Sequence, residues 1–366
     1  MGKIALTGGD GFLGWHTQLA LREVGAEGVD IGVGDFFDEA HARQAVDGAE
    51  RLVHLAGVNR GSDEEVAEGN ARFAEQIASV LRSVSNPPKT VAFSNSIQAQ
   101  LGNVYGDAKL RAAEILQSVC DEVGAQFIDV RFPNLFGEHG RPFYNSVTAT
   151  FCHLLATGGS PTVAEDRELT LLHAADAADV LVGILPVESM GSKSRVESVS
   201  GLLARLTSIA DVYRGGEIPD ITTDFDRDLF NTYRSYTVPG SIPIPLVRHA
   251  DARGSFFEIL RARGGSSQAS FSTTEPGVTR GDHFHRRKVE RFVVLAGEAH
   301  MRLRKVLTSE VLDLEALGQT PVAVDMPTGW THNITNTGSE VLYTAFWTDD
   351  LYDPDRPDTV MEKVDL

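Results

Sequence analysis

Gly277-Val278-Thr279-Arg280-Gly281-Asp282-His283-Phe284-His285-Arg286-Arg287-Lys288-Val289-Glu290-Arg291-Phe292-Val293-Val294-Leu295-Ala296-Gly297 sets two histidines, a glutamate and two glycines in the spacing G-x5-H-x-H-x4-E-x6-G. Side chains on a strand alternate between faces, so His283 and His285 are expected on one face of a strand, with Glu290 arriving from the next. A fourth candidate ligand, His332, follows in Pro327-Thr328-Gly329-Trp330-Thr331-His332-Asn333-Ile334-Thr335-Asn336, spaced P-x-G-x-x-H-x-x-x-N. Three imidazoles and a carboxylate suit zinc, manganese, iron or nickel, because such ligands discriminate weakly among these ions. Structural zinc sites usually close with cysteines, so this set points to a metal that stays open to a ligand and polarises it.

Around this stretch, short β-branched and aromatic runs at Phe256 to Leu260, Gln268 to Thr273, Arg291 to Leu295 and Val341 to Trp347 are separated by Gly, Asp and Asn turns. That pattern predicts an antiparallel barrel. Both spacings resemble the sequence motifs of the cupins, and the resemblance implies a jelly-roll β-barrel holding Zn2+ or another divalent ion. A general base inside it is open: His249, His300 and Tyr343 are available, and no spacing selects one. Upstream, Val238-Pro239-Gly240-Ser241-Ile242-Pro243-Ile244-Pro245 would be rejected by a helix interior or a central strand. The boundary is placed there, giving domains of residues 1–240 and 241–366, a division that 366 residues accommodate.

The first domain reads differently. Apolar runs at Lys3 to Leu6, Leu52 to Leu55, Thr90 to Phe93 and Phe127 to Arg131 alternate with helical patterns at Leu13 to Glu23, Asn70 to Arg82 and Lys109 to Val123. This is the βαβ signature of a parallel sheet, so the chain is expected to be α/β. The first run leads into Thr7-Gly8-Gly9-Asp10-Gly11-Phe12-Leu13-Gly14, where Gly8, Gly11 and Gly14 let backbone approach a pyrophosphate and Phe12 and Leu13 open the helix beneath it. In Tyr105-Gly106-Asp107-Ala108-Lys109 the phenol and ammonium share a helix face, which lowers the phenol's pKa and lets it exchange a proton with a carbonyl oxygen. Ser96, after the strand that ends Phe93-Ser94-Asn95-Ser96, is expected to bond the same oxygen.

Together these residues resemble the extended short-chain dehydrogenase/reductases, over about residues 1–235. The resemblance extends to Asn70, expected in the helix after strand four, to Arg131-Phe132-Pro133-Asn134-Leu135-Phe136-Gly137 and to the Arg167-to-Asp176 stretch. It implies a Rossmann-type fold, and it implies that Asn134 and Arg167 hold the diphosphate of a nucleotide sugar. The segment from Gly25 to Ala42 contains no Lys or Arg to grip an adenosine 2'-phosphate. Asp35 or Asp30 would face the adenosine, and Arg60 is a phosphate partner from outside that segment. NADPH versus NADH stays open at this point.

A reductase half followed by a metal cupin resembles the capsular polysaccharide CapF family, over nearly the whole chain. Matching stretches include Val53 to Arg60, Ser94 to Ala99, Pro133 to Gly137, Tyr144 to Cys152, Asp251-Ala252-Arg253-Gly254-Ser255 and Pro354 to Thr359. The resemblance implies a homodimeric, bifunctional enzyme on the route to UDP-N-acetyl-L-fucosamine. Its cupin would epimerise C3 of a UDP-2-acetamido-2,6-dideoxy-4-hexulose, a UDP-linked 4-keto-6-deoxy amino sugar, with zinc acidifying the proton. Its reductase would then use NADPH to reduce C4, giving UDP-2-acetamido-2,6-dideoxy-L-talose for capsule or O-antigen biosynthesis. Two other readings compete: a nucleotide-sugar reductase whose cupin only dimerises, and a sugar or cofactor sensor without turnover.

Composition narrows the partners. With 51 acidic against 33 basic residues, a net charge of -18 and no long basic run or basic helix, nucleic acid is not expected as a partner. Two cysteines, Cys120 and Cys152, provide neither a disulfide framework nor a thiolate zinc module. No apolar run approaches the roughly 20 residues of a membrane span. The opening Met-Gly-Lys lacks a long apolar signal core and has Leu6 where myristoylation needs Ser or Thr, so the expected location is the cytoplasm.

Overall fold

The structure is a computed structural model that describes residues 2–252 and 254–366; Arg253, within the Asp251-to-Ser255 match, lies outside the described residues. By spatial contact the chain divides into two compact units. One comprises residues up to Leu135 together with Leu169–Val196, and the other comprises Phe136–Glu168 with Glu197–Leu366. The 240/241 boundary therefore marks a change of composition, whereas residues 136–168 and 197–240 group spatially with the barrel.

In the first unit, β1 (Lys3–Thr7), α1 (Phe12–Glu23), β2 (Glu27–Ile31), α2 (Glu39–Val46), β3 (Arg51–His54), α3 (Asp63–Ser83), β4 (Thr90–Ser96), α4 (Val104–Val123) and β5 (Gln126–Phe132) follow in order. All five strands are parallel, in the spatial order β2-β1-β3-β4-β5. Alternation along each strand splits the core in two. Ala5, Leu52, Val91 and Phe93 pack against α3 and α4 on one face. Ile4, Leu6, Val53, Ala92 and Val130 pack against α1 and the helix Ala174–Val182 on the other. Fully burying each Leu, Ile, Val or Phe among them stabilises the fold by roughly 1.5–3 kcal/mol.

β2 is an edge strand that the apolar pattern of the sequence does not announce. Glu27, Gly28 and Asp30 are exposed, so the usual run of buried β-branched residues is missing. Between Ile31 and Arg51 the chain forms only the short turn Gly34–Phe36 and α2. Asn70 consequently lies in the helix after the third strand, not the fourth.

The second unit holds two five-stranded sheets. One runs Ile244–Pro245, Val322–Met326, Glu290–Ala296, Leu342–Thr348, Gln268–Thr274; the other runs Val311–Leu317, Glu298–Lys305, Trp330–Asn336, Thr279–Phe284, Val360–Met361. Val294, Val324 and Met326 of the first and Met301, Leu303 and Ile334 of the second meet in a common core, as in a jelly-roll barrel. The run Phe256 to Leu260 departs from expectation: only Gly254–Phe256 forms a strand, paired with His249–Asp251 in a small hairpin. Outward-facing Arg291 forms a buried bidentate pair with Asp325, at 2.6 and 2.9 Å, and donates to the Gly216 carbonyl at 2.8 Å. Arg234, on the helix Asp224–Ser235, donates to the Met326 carbonyl at 3.2 Å.

Candidate active sites

The glycine turn lies at the carboxyl end of β1, where an open parallel sheet binds ligands beside its topological switch point. Gly8 has φ +74, the left-handed region that costs a glycine least. A Cβ at Gly14 would overlap the carbonyl oxygens of Gly8 and Gly9, so only glycine lets α1 come this close. Gly11 caps α1 without a side chain, leaving its first amides facing outward beside Phe12 and Leu13. This cradle fits a dinucleotide pyrophosphate. Asp30 accepts from the Gly9 amide at 3.0 Å and so braces the turn.

The segment that carries Ser96 meets the start of α4 through Gly106. A Cβ there would overlap the Gln98 carbonyl oxygen, so the absence of a side chain lets the Ile97–Gln100 turn sit against the turn that bears Tyr105. Asn103 caps α4 by accepting from the Gly106 amide at 2.8 Å, and Ser96 caps the short turn by accepting from the Gln98 amide at 3.2 Å. Lys109, one helical turn beyond Tyr105, is buried: its Nζ donates to the Ser94 carbonyl at 2.8 Å and lies 4.7 Å from the centre of the Phe93 ring. Burial pushes its pKa down to about 8, against the raising influence of Asp129.

Asn70 belongs to this pocket, and nothing in its spacing gave it a role. Its Nδ2 donates to the carbonyls of Val58 and Val66, at 2.7 and 2.8 Å. That turns its Oδ1 towards Gly57, where a Cβ would lie 2.9 Å from that oxygen and 3.1 Å from Lys109 Nζ. His54 was also missed. It is buried and its Nδ1 lies 2.8 Å from the Thr7 hydroxyl, which accepts from the amides of Leu55 and Ala56 and donates to the ring. Burial, then the nearby Lys109, lowers the His54 pKa to about 3, so the ring adds no charge beside the lysine.

The remaining expected residues of this half are exposed. Asn134 donates to the Thr170 carbonyl at 3.2 Å. Arg60 lines an open groove of about 940 Å³ beyond β2 and β3, shared with Val33, Asp35, Phe36 and Phe73. Asp35 pairs with Arg72 at 2.9 Å. Arg167 lies in the second unit, on the exposed approach to the strand Glu168–His173.

The structure brings together the four barrel residues. Their ligand atoms lie within 4.8 Å of one another. His283 sits on Thr279–Phe284 directly opposite His332, after a register shift at Gly281 and His283. At Gly281, φ is +106 and a Cβ would lie 2.6 Å from the His332 carbonyl oxygen. His285 falls just past the end of that strand, and Glu290 opens the next. The bulge aims the first histidine, and the turn between aims the second.

Protonation inside the cluster argues for a cation. His285 Nδ1 lies 2.5 Å from the Asp358 carbonyl and His332 Nδ1 lies 3.3 Å from that of Trp330, so both donate there. Their Nε2 lone pairs then face Glu290 Oε2 at 3.1 and 3.3 Å, acceptor against acceptor. The buried His332 Nε2 has no aligned hydrogen-bond partner among the described residues. A divalent ion satisfies all these groups, so the residues fit one. Burial, with its histidine neighbours, lowers His283 to about 3.

Asp358 is the residue the spacing did not select. Its carboxylate accepts from the amides of Arg286, Arg287 and Lys288, at 3.0, 2.9 and 2.7 Å, and so ties down the turn between His285 and Glu290. The only signal in the sequence is its place in Pro354 to Thr359. None of the three bases considered points inward: His300 pairs with Asp313 at 3.2 Å, Tyr343 stacks on the exposed Phe271, and His249 is exposed on its hairpin.

Among the described residues no helix is long and apolar enough to cross a membrane, and both cysteines are buried. Residues 4–196 match the NAD dependent epimerase/dehydratase family and residues 249–360 match the polysaccharide biosynthesis C-terminal domain. The chain is 31% identical, over 98% of its length and 97% of the relative's, to UDP-2-acetamido-2,6-beta-L-arabino-hexul-4-ose reductase of Pseudomonas aeruginosa PA103. Spore coat polysaccharide biosynthesis protein SpsL of Bacillus subtilis strain 168 is 29% identical over 31% of this chain and 81% of its own. The crystal structure of capsular polysaccharide assembling protein CapF from Staphylococcus aureus superposes with a TM-score of 0.60, at 30% identity and with both chains fully covered. A Rossmann-type unit and a jelly-roll unit on one chain, matched end to end by the Pseudomonas reductase and by CapF, place it in the NAD dependent epimerase/dehydratase family, within the CapF family.

Proposed function

We propose that this chain is a bifunctional nucleotide-sugar enzyme, whose barrel epimerises C3 of a UDP-2-acetamido-2,6-dideoxy-4-hexulose and whose Rossmann-type unit reduces C4 with NADPH. The product is UDP-2-acetamido-2,6-dideoxy-L-talose, a precursor of UDP-N-acetyl-L-fucosamine. The observation that carries this reading is the presence on one chain of a Ser-Tyr-Lys set and a buried cluster of three histidines and a glutamate. One ketone serves both, because a C4 carbonyl makes the C3 proton removable and is then itself consumed.

In the reductase site, the amides of the glycine turn bind the cofactor's pyrophosphate. Ser96 and Tyr105 hydrogen-bond the C4 oxygen, and Tyr105 Oη gives it a proton while Lys109 stabilises the phenolate left behind. The bound nicotinamide supplies hydride. Asn134 binds the diphosphate of the sugar nucleotide. In the barrel, His283, His285, Glu290 and His332 would hold a divalent ion, zinc in the first instance, which when bound would supply Lewis-acid polarisation of the ketone and so acidify the proton at C3. Asp358 and the Gly281 bulge keep those side chains convergent.

Proton NMR of the 4-keto sugar nucleotide in deuterium oxide tests both halves. Exchange at C3 before cofactor is added, followed by reduction once NADPH is present, is expected. Clean reduction without exchange would reduce the barrel to a scaffold, and silence in both stages would refute the assignment.

A further inference from the structure

Segment 25–42, which carries β2 and the loop after it, contains no Lys or Arg, yet an adenosine 2'-phosphate needs a cation there. The fold supplies one from another element. Gln76 of α3 clasps the loop at Gly34, its Oε1 accepting from the Gly34 amide at 2.8 Å and its Nε2 donating to the Gly34 carbonyl at 3.0 Å. The loop is therefore held against α3. One helical turn before Gln76, Arg72 meets the next loop residue, Asp35, at 2.9 Å. Both line the groove beyond the carboxyl ends of β2 and β3, with Val33, Val58 and Phe73 as its apolar wall. The side chains of Arg72 and Asp35 are 54% and 85% exposed, so the pair is weak and opens at little cost.

We propose that Arg72 is the residue that receives the 2'-phosphate of the cofactor's adenosine, and that Asp35 is its charge antagonist. This deepens the reductase reading above and rests on it. An adenosine lying along the β2 loop brings its 2' substituent beside this pair. A phosphate there takes the Arg72 guanidinium, whose fork matches two phosphate oxygens, and sets Asp35 free. An unphosphorylated ribose gains nothing from Arg72 and offers its diol to Asp35. Preference between NADPH and NADH is thus set by a helix residue 37 positions past Asp35 in numbering, with the β2 segment itself supplying only the opposing charge.

Direct binding of NADPH and NADH, followed by the change in nicotinamide fluorescence, tests the proposal without requiring turnover. Wild-type protein is expected to bind NADPH the more tightly. Arg72→Ala should weaken NADPH about tenfold and NADH less than twofold, as expected for one partly exposed charge-assisted contact. Asp35→Asn should leave the fold intact, strengthen NADPH by removing the charge that opposes its phosphate, and weaken NADH by weakening the acceptor of its ribose diol. Equal wild-type affinities, or an NADPH-to-NADH ratio that Arg72→Ala leaves unchanged, would overturn the assignment of Arg72 while leaving the reductase intact. Failure of both cofactors to bind would instead remove the nicotinamide reading on which it stands.

Discussion

Replacing Asp358 by alanine is expected to loosen the barrel's ligand cluster without touching any of its four members. The substitution removes three carboxylate-to-amide hydrogen bonds that fix residues 286–288. Each such charge-assisted bond is worth roughly 1.5–3 kcal/mol in isolation, but the three share one carboxylate and do not add in full. The Arg286 backbone is in a buried residue, whereas Arg287 and Lys288 are half-buried and water can replace part of the loss. Asp358 also has φ +41, a conformation that alanine adopts less readily. A net cost of about 3 kcal/mol follows, which for a unit of this size lowers Tm by about 6–12 °C. Because the freed turn joins His285 to Glu290, and the Asp358 carbonyl sets the His285 tautomer, zinc affinity should fall about 10- to 100-fold. Competition against a chelator of known affinity, beside a thermal melt, measures both quantities. Asp358→Asn tolerates the same backbone and retains one acceptor, so it should fall between the two. A folded Asp358→Ala protein with parental zinc affinity would refute the reasoning.

Three further outcomes are expected. Tyr105→Phe should lower C4 reduction about 100- to 10,000-fold while cofactor binding and zinc content stay unchanged, as read by NADPH oxidation, titration and metal analysis. Lys109, with its pKa pushed down to about 8, loses its charge as pH rises past that value, so reduction should decline above pH 8 through loss of the ammonium beside the phenol; a rate that holds level well beyond it would exclude that dependence. Arg291→Met leaves Asp325 buried without its partner and should cost about 3–5 kcal/mol in chemical denaturation, much of it recovered by adding Asp325→Leu.

The sequence made the chemistry legible where residue type and spacing coincide with a short-range geometry. His283, His285 and Glu290 fall within eight residues of one another, so their proximity could be expected from that spacing, whereas His332, 42 residues further on, was legible through the spacing of its own motif. The glycine turn could be read because Gly8 and Gly14 are needed for backbone reasons that no neighbour can alter. Long-range partners were not legible. Asp358 reaches its amides from 70 residues or more away, and the Asn70 contact with Gly57 depends on how α3 lies across β3. β2 escaped because an edge strand has no buried outer flank to impose an apolar pattern. The Gly281 bulge escaped because period-2 reasoning assumes an unbroken ladder.

The discontinuous division of the chain decides how the two proposed activities can be separated genetically. A gene cut after codon 240 would follow the proline cluster, yet the released amino-terminal product would carry residues 136–168 and 197–240 without the body they fold with. Asn231 would lose the Arg287 carbonyl, Arg234 that of Met326, and Glu138 the Thr328 hydroxyl, while the carboxyl-terminal product would lose the Gly216 carbonyl from its Arg291. Scission therefore yields two damaged fragments. A clean dissection needs alleles that each silence one centre by a single codon, assayed by whether two such full-length proteins, mixed, restore the whole conversion.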